Sequence, residues 1–414
     1  MRFAGRVAVS LYLLVVSLGL AVGQRSLEVC SGCEFTSLHA AVQQAAPGDR
    51  ILVRGGVYRE GRLLVDKPLS LLGENWPVLD GGGEVEILTI TADDVQVRGF
   101  VFQNSGVSHI EDLAALKADN VSGCVVEGNR FSNNFFAIYL AGSEHCSVRN
   151  NEVTGAATSE AFSGNAIHLW NSSSIRVEGN HLSGHRDGIY LEFVQDSSVT
   201  DNISEDHLRY GLHFMFSSGN EFRRNTFQRS GAGVAVMYSK ETVMVNNRFA
   251  DNWGSAAYGL LLKEINDSTV ADNTFFRNTV AIYSDGSNRI EVTGNEFLRN
   301  GHAVRLLATS MSMHFTHNTF TGNTFDVTTT TSRSYNDFAE NYWDNYRGFD
   351  LDRDNIGDVP YRPVRLFSMT VENYPQTMIL LRSPLEQFLD YAERLLPVFT
   401  PRAIEDDRPV IGKP

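Results

Sequence analysis

Asn247-Arg-Phe249, Asn273-Thr-Phe275, Asn295-Glu-Phe297 and Asn318-Thr-Phe320 repeat one phrase, an asparagine with a phenylalanine two residues on. The asparagine register extends back through Asn129, Asn151, Asn180, Asn202 and Asn225 and forward to Asn341, in steps of 22, 29, 22, 23, 22, 26, 22, 23 and 23. In most copies an apolar residue follows two positions later, from Phe131 to Trp343, and another precedes by three, from Val126 to Phe315. A second register carries short alternating strands opened by Gly or Ala: Ala137-Ile-Tyr-Leu, Ala166-Ile-His-Leu, Gly188-Ile-Tyr-Leu, Gly211-Leu-His-Phe, and onward to Ala303-Val-Arg-Leu. Short period-two strands, a repeat of about 22 residues and Asn or Gly punctuation predict an all-β, right-handed parallel β-helix. One coil is too thin to bury its own apolar side chains. Stacking puts like over like, so the phenylalanines predict an internal ring ladder and the asparagines a ladder of paired amides.

The ends of such a solenoid expose unpaired strand edges and need covers. Leu38-His-Ala-Ala-Val-Gln-Gln-Ala, preceded by Thr36 and Ser37 as N-caps, predicts a short amphipathic helix over the first coil. Beyond Asn341 the repeat stops. Ser383-Pro-Leu-Glu then supplies an N-cap, Pro at N1 and Glu at N3 for a helix with Leu385, Phe388, Leu389, Ala392 and Leu396 on one face, ended by Pro397. The expected organisation is a signal peptide at 1–23, a cap at 24–48, the β-helix at 49–347, an Asp-rich end loop at 348–365 and a helical extension at 366–414.

Lys+Arg number 35 against Asp+Glu 49, and the net charge of −14 argues against a nucleic-acid partner. Arg2 and Arg6 precede an apolar run from Val7 to Leu20, with small residues at Ala21 and Gly23. That is the pattern of a secretory signal peptide cleaved after Gly23, and the run is short of the ~20 residues a membrane span needs. An exported chain permits disulfides. Cys30 and Cys33 form C-S-G-C without the βαβ context of a thioredoxin-like protein, and Cys124 and Cys146, each five residues before a ladder asparagine, are either a disulfide or two stacked thiols.

The segment Asn341-Tyr-Trp-Asp-Asn-Tyr-Arg-Gly-Phe-Asp-Leu-Asp-Arg-Asp-Asn-Ile-Gly-Asp-Val-Pro-Tyr-Arg-Pro resembles the signature of the NosD family, periplasmic β-helix proteins needed to mature nitrous oxide reductase. Ala45-Ala-Pro-Gly-Asp, the Gly56-Val-Tyr-Arg-Glu turn and the coil array extend the resemblance over nearly all of the chain after the signal peptide. It departs at Asn355, where the family pattern has Gly. The resemblance implies a periplasmic, non-enzymatic accessory protein that helps assemble a copper–sulfide centre. Its implied partners are an ABC-type permease with its ATPase, a copper chaperone lipoprotein and nitrous oxide reductase. No G-x-x-x-x-G-K-[ST] loop occurs in the sequence, so ATP chemistry falls to a partner.

Alternation sends the third and fifth residues of each second-register strand out of the coil. Successive coils then gather His168, Glu192, His213, Met215 and Met237 on one face, and thioether with imidazole suits Cu(I). His168, His213, Met215 and Met237 are the candidate transient copper ligands, against a plain docking surface. A denser run, Met311-Ser-Met-His-Phe-Thr-His317, reads as a core methionine, Met313, flanked by surface histidines. Asp350, Asp352, Asp354 and Asp358 occupy positions 1, 3, 5 and 9 of a calcium-loop spacing, but position 12 is Tyr361 in place of the bidentate Glu. Calcium competes there with a tight Asp/Gly turn closing the last coil. The rival function is a polysaccharide lyase or epimerase using Asp187, Glu192, Asp206, His207 and Arg209, although those acids fall in turns as well as strands.

Overall fold

The computed structural model describes residues 25–108, 110–396 and 400–412, so the signal peptide expected at 1–23 lies outside the described residues. The chain winds into a parallel β-solenoid whose three faces are sheets of 14, 12 and 13 strands. The repeat sets the register. Phe249, Phe275, Phe297 and Phe320 pair in succession in the 13-stranded sheet, with ring centroids 4.6, 5.0 and 4.7 Å apart, and Trp343 closes the stack 4.0 Å from Phe320. These rings are buried, and offset stacking adds to the area they remove from water.

The asparagine ladder lies at the neighbouring corner. Asn247 donates its backbone N–H and its Nδ2 to Asn273 Oδ1 at 2.8 and 3.1 Å, and Nδ2 also donates to Phe222 O at 2.9 Å. Each amide thus satisfies corner groups on both neighbouring coils. Cys124 and Cys146 are buried and joined coil to coil, with Cα atoms 4.6 Å apart, so of the two readings the disulfide holds. Cys30 and Cys33 are also joined.

At the start, the strand Ser26–Val29 already pairs with Arg50–Arg54, so the segment expected as a cap contributes the first coil strand as well as a helix. That helix, α1, spans Leu38–Gln44; Ser37 caps it by accepting from Ala40 N–H at 3.3 Å, and Glu60 accepts from Leu38 and His39 N–H at 2.8 and 2.9 Å. At the far end α2 (Leu366–Asn373) packs on the strand Phe325–Thr329, held by an Arg305–Glu372 ion pair at 2.6 Å. The expected capped helix is α3 (Pro384–Leu395), with Ser383 accepting from Glu386 N–H. Its apolar face is divided: Leu389 packs against the Phe325–Phe367–Val371 cluster, whereas Leu385, Phe388 and Leu396 are exposed. The segment 400–412 then returns to the solenoid, pairing Asp406 with Phe338 and Val410 with Tyr342. The extension is therefore a cap as well as a helix.

Candidate functional site

The 12-stranded sheet carries the candidate face. Its register puts Tyr139, His168, Tyr190, His213 and Ala235 in one column and Ala141, Trp170, Glu192, Met215 and Met237 in the next. Met215 and Met237 are direct neighbours on adjacent coils, half-buried, and His213 lies two residues before Met215 on the same side of the strand Tyr210–Met215.

His168 and His213 are not brought together. The Tyr190 ring lies between them, with centroids 4.8 Å from His168 and 4.7 Å from His213. Nor is the face open at these residues. Pointing out of the coil, both histidines are nevertheless buried by side chains packed on them: the Phe136 and Tyr139 rings lie 5.4 and 4.5 Å from His168, Asn165 Nδ2 is 3.5 Å from its Nδ1, and the Tyr210 ring lies 4.8 Å from His213. Alternation distinguishes the inside of a coil from its outside, and carries no information on what covers the outside.

The burial has chemical consequences. Desolvation holds His168 at about 3, so the ring is neutral and its Nε2 has no hydrogen-bond partner among the described residues. His213 makes no ring hydrogen bond among the described residues, and its Nδ1 faces the Asp187 carboxylate at 3.8 Å. Asp187 is completely buried; desolvation alone would raise its pKa, but hydrogen bonds from Arg209, including Nε at 2.9 Å, hold it well below the carboxylate range. An imidazole beside paired thioethers is a soft to borderline donor set suited to Cu(I).

An exposed aromatic row beside the methionines escaped the sequence reading. Phe193, Phe216 and Tyr238 follow the ends of three successive strands and stack with centroids 5.4 and 5.1 Å apart. All three adopt left-handed backbone, with φ of 56°, 52° and 52°, at a corner where the flanking coils carry Gly142, Asn171, Glu264 and Gly286. Bulky residues at such positions are strained. The signal was present, since Glu192-Phe, Met215-Phe and Met237-Tyr repeat with the strand register.

The other candidates divide. Carboxylate oxygens of Asp350, Asp352 and Asp354 lie within 4.8 Å of one another, while Asp358 accepts from Leu351 N–H at 2.7 Å to close the loop. Asp350 accepts backbone N–H groups from Arg353 and Asn355 at 2.6 and 3.0 Å, as an Asp-rich turn does. Asn355 has φ of 69°, which explains why glycine suits that position. Met313 is buried; His314 and His317 reach Asp337 and Glu340 at 3.2 and 2.9 Å. Of the lyase candidates, Asp187 is tied to Arg209, His207 is buried within the solenoid, Asp206 is paired with Arg229 on a turn, and Glu192 is half-buried in the methionine column. They do not converge on one bond.

The fold defines a class: the parallel β-solenoids. A family model described as "Periplasmic copper-binding protein (NosD)" matches residues 155–348. A probable ABC transporter binding protein NosD of Pseudomonas aeruginosa is 32% identical over 375 residues, 86% of each chain. Its namesake from Stutzerimonas stutzeri is 28% identical over 381 residues, 86% of this chain and 85% of that one. The chain belongs to the NosD family. Its relatives are named as binding proteins, not enzymes. Two solved structures share the fold alone. An exopolygalacturonase of Yersinia enterocolitica has a TM-score of 0.54 at 11% identity, covering 77% of this chain and 78% of that one. An α-1,3-glucanase catalytic unit of Streptomyces thermodiastaticus has 0.57 at 15%, covering 79% and 67%. No helix of the described residues is long and apolar enough to cross a membrane.

Proposed function

We propose that this chain is a periplasmic accessory protein of nitrous oxide reductase maturation. It passes or positions copper for assembly of the copper–sulfide centre, beside an ABC-type permease, its ATPase and a copper chaperone lipoprotein. The observation that carries this reading is the Met215–Met237 pair next to His213, whose Nε2 makes no hydrogen bond among the described residues. Strands one coil apart are about 4.8 Å apart, a spacing from which two flexible thioethers can reach one ion. Soft thioethers with an imidazole favour Cu(I) over harder cations. His168, screened by Tyr190, belongs to the same route as a separate contact. A site this incomplete suits an ion that must leave again. Export by the 1–23 segment and contact with the transporter through the exposed face of α3 complete the reading. Calcium at Asp350, Asp352, Asp354 and Asp358 is a secondary occupant that the oxygen donors allow.

The test is a Cu(I) titration against a competing chelator on the wild type and on His213→Ala combined with Met215→Ala. The double variant is expected to melt within a few degrees of the wild type and to lose its copper uptake. Equal uptake by both proteins removes the site from consideration.

A further inference from the structure

The chain's two disulfides differ in what they can do. Cys124–Cys146 is buried between coils, out of reach of any second thiol. Cys30–Cys33 is half-buried at the solenoid's first end, in a turn whose Ser31, Gly32 and Glu34 are exposed. A bridge across a separation of 3 closes so short a loop that it constrains the unfolded chain little.

The turn also has closure of its own. Cys33 N–H donates to Cys30 O at 3.3 Å, Cys30 N–H donates to Phe35 O at 3.0 Å, and the preceding strand Ser26–Val29 is paired along its length with Arg50–Arg54. Breaking the S–S bond therefore leaves two thiols side by side on a fixed frame.

We propose that Cys30 and Cys33 form a redox-gated bis-thiolate site for a soft monovalent d10 cation, Cu(I), separate from the methionine–histidine face. The copper identity rests on the function proposed above; the reducible dithiol does not. The gate is opened by a protein dithiol. One partner thiolate attacks a sulfur of the bridge, the Cys30–Cys33 bond breaks as a mixed disulfide forms, and the partner's second thiol displaces the chain. Two electrons and two protons pass to this chain, and the partner leaves as a disulfide. Cu(I) then replaces the thiol protons, which go to solvent or to Glu28, whose Oε2 is 4.0 Å from Cys33 Sγ; copper stays in the +1 state throughout.

The experiment uses the folded full chain under anaerobic conditions, with dithiothreitol as the reductant, removed before measurement. Maleimide labelling with peptide mapping is expected to find Cys30 and Cys33 modified and Cys124 and Cys146 spared. Cu(I) titration against bathocuproine is expected to give one more equivalent bound by reduced than by oxidised protein. Cys30→Ser combined with Cys33→Ser should bind equally after either treatment. The His213→Ala, Met215→Ala protein should keep the redox-dependent equivalent, so loss of the face and loss of this site are read separately. Labelling that misses Cys30 and Cys33, or equal uptake by oxidised and reduced wild type, overturns the proposal.

Discussion

At the last rung of the asparagine ladder, Asn341 donates its backbone N–H and Nδ2 to Asp406 Oδ2 at 3.2 and 3.0 Å, and Trp343 Nε1 adds a third donor at 2.9 Å. No later coil remains to supply an amide oxygen, so a carboxylate from the returning tail accepts all three. Asp406→Ala leaves the Asn341 N–H and Trp343 Nε1–H unmatched, while Asn341 Nδ2 keeps Phe315 O at 2.8 Å, and is expected to cost about 2 kcal/mol or more in urea unfolding. Asp406→Asn keeps an acceptor but turns an amide towards Arg408 N–H, which now donates to Oδ1 at 3.1 Å; it should fall between wild type and Ala. A second ladder holds a different anomaly: His185 and His207 occupy rungs continued by Ser230, Asn252, Asn278, Asn300 and Asn323. Burial lowers them to about 3 and about 4, so both stay neutral in the fold while their unfolded counterparts protonate below about 6.5. Across that window the unfolded state holds more protons, and stability falls with pH by about 1.4 kcal/mol per unit for each histidine. Asp326, raised to about 6 by burial, works in the opposite sense and offsets one of them between about 4 and 6. Denaturation curves from pH 7 to 4.5 should flatten in the His185→Asn, His207→Asn protein, and an unchanged slope would assign the acid sensitivity elsewhere.

At the scale of elements, the ladders are where sequence and structure meet most directly. Phe275 is sandwiched between Phe249 and Phe297 at 4.6 and 5.0 Å, so Phe275→Ala should cost about 3–5 kcal/mol, read as a lowered thermal midpoint. An unchanged midpoint would mean the coil register is wrong. These ladders were legible because one residue type recurs at one spacing. The second ladder was not, since His185, His207 and Ser230 break the run of identical amides. The column pairing of His213, Met215 and Met237 also followed from strand alternation. The burial of His168 did not, because it also depends on Phe136 and on Asn165 from the loop before its strand, and loop placement has no period. The same limit hid Asp406, 65 residues from the asparagine it completes.

At the scale of the molecule, the C-terminal extension closes the solenoid with one side and presents the other to solvent. Leu389 and the Arg365–Asp390 ion pair, at 3.0 Å, hold α3 against the body. Its outer side exposes Leu385, Phe388, Tyr391 and Leu395, beside Ile379, which is 87% exposed. Exposed apolar side chains clustered on one helix suit a contact site, and under the proposed function the partner there is the permease. Truncation after Asp358 is a poor test, because it also deletes Asp406 and uncaps the last coil. Phe388→Ser combined with Leu395→Ser removes apolar area already in water and should leave the melt unchanged. Loss of a buried aromatic anchor costs an interface about 2 kcal/mol or more, roughly thirtyfold in affinity. Affinity purification through this chain should therefore recover little permease with the double variant, while the isolated variant binds Cu(I) as the wild type does. Full recovery of permease would place the docking surface elsewhere, with the strained row of Phe193, Phe216 and Tyr238 the next surface to change.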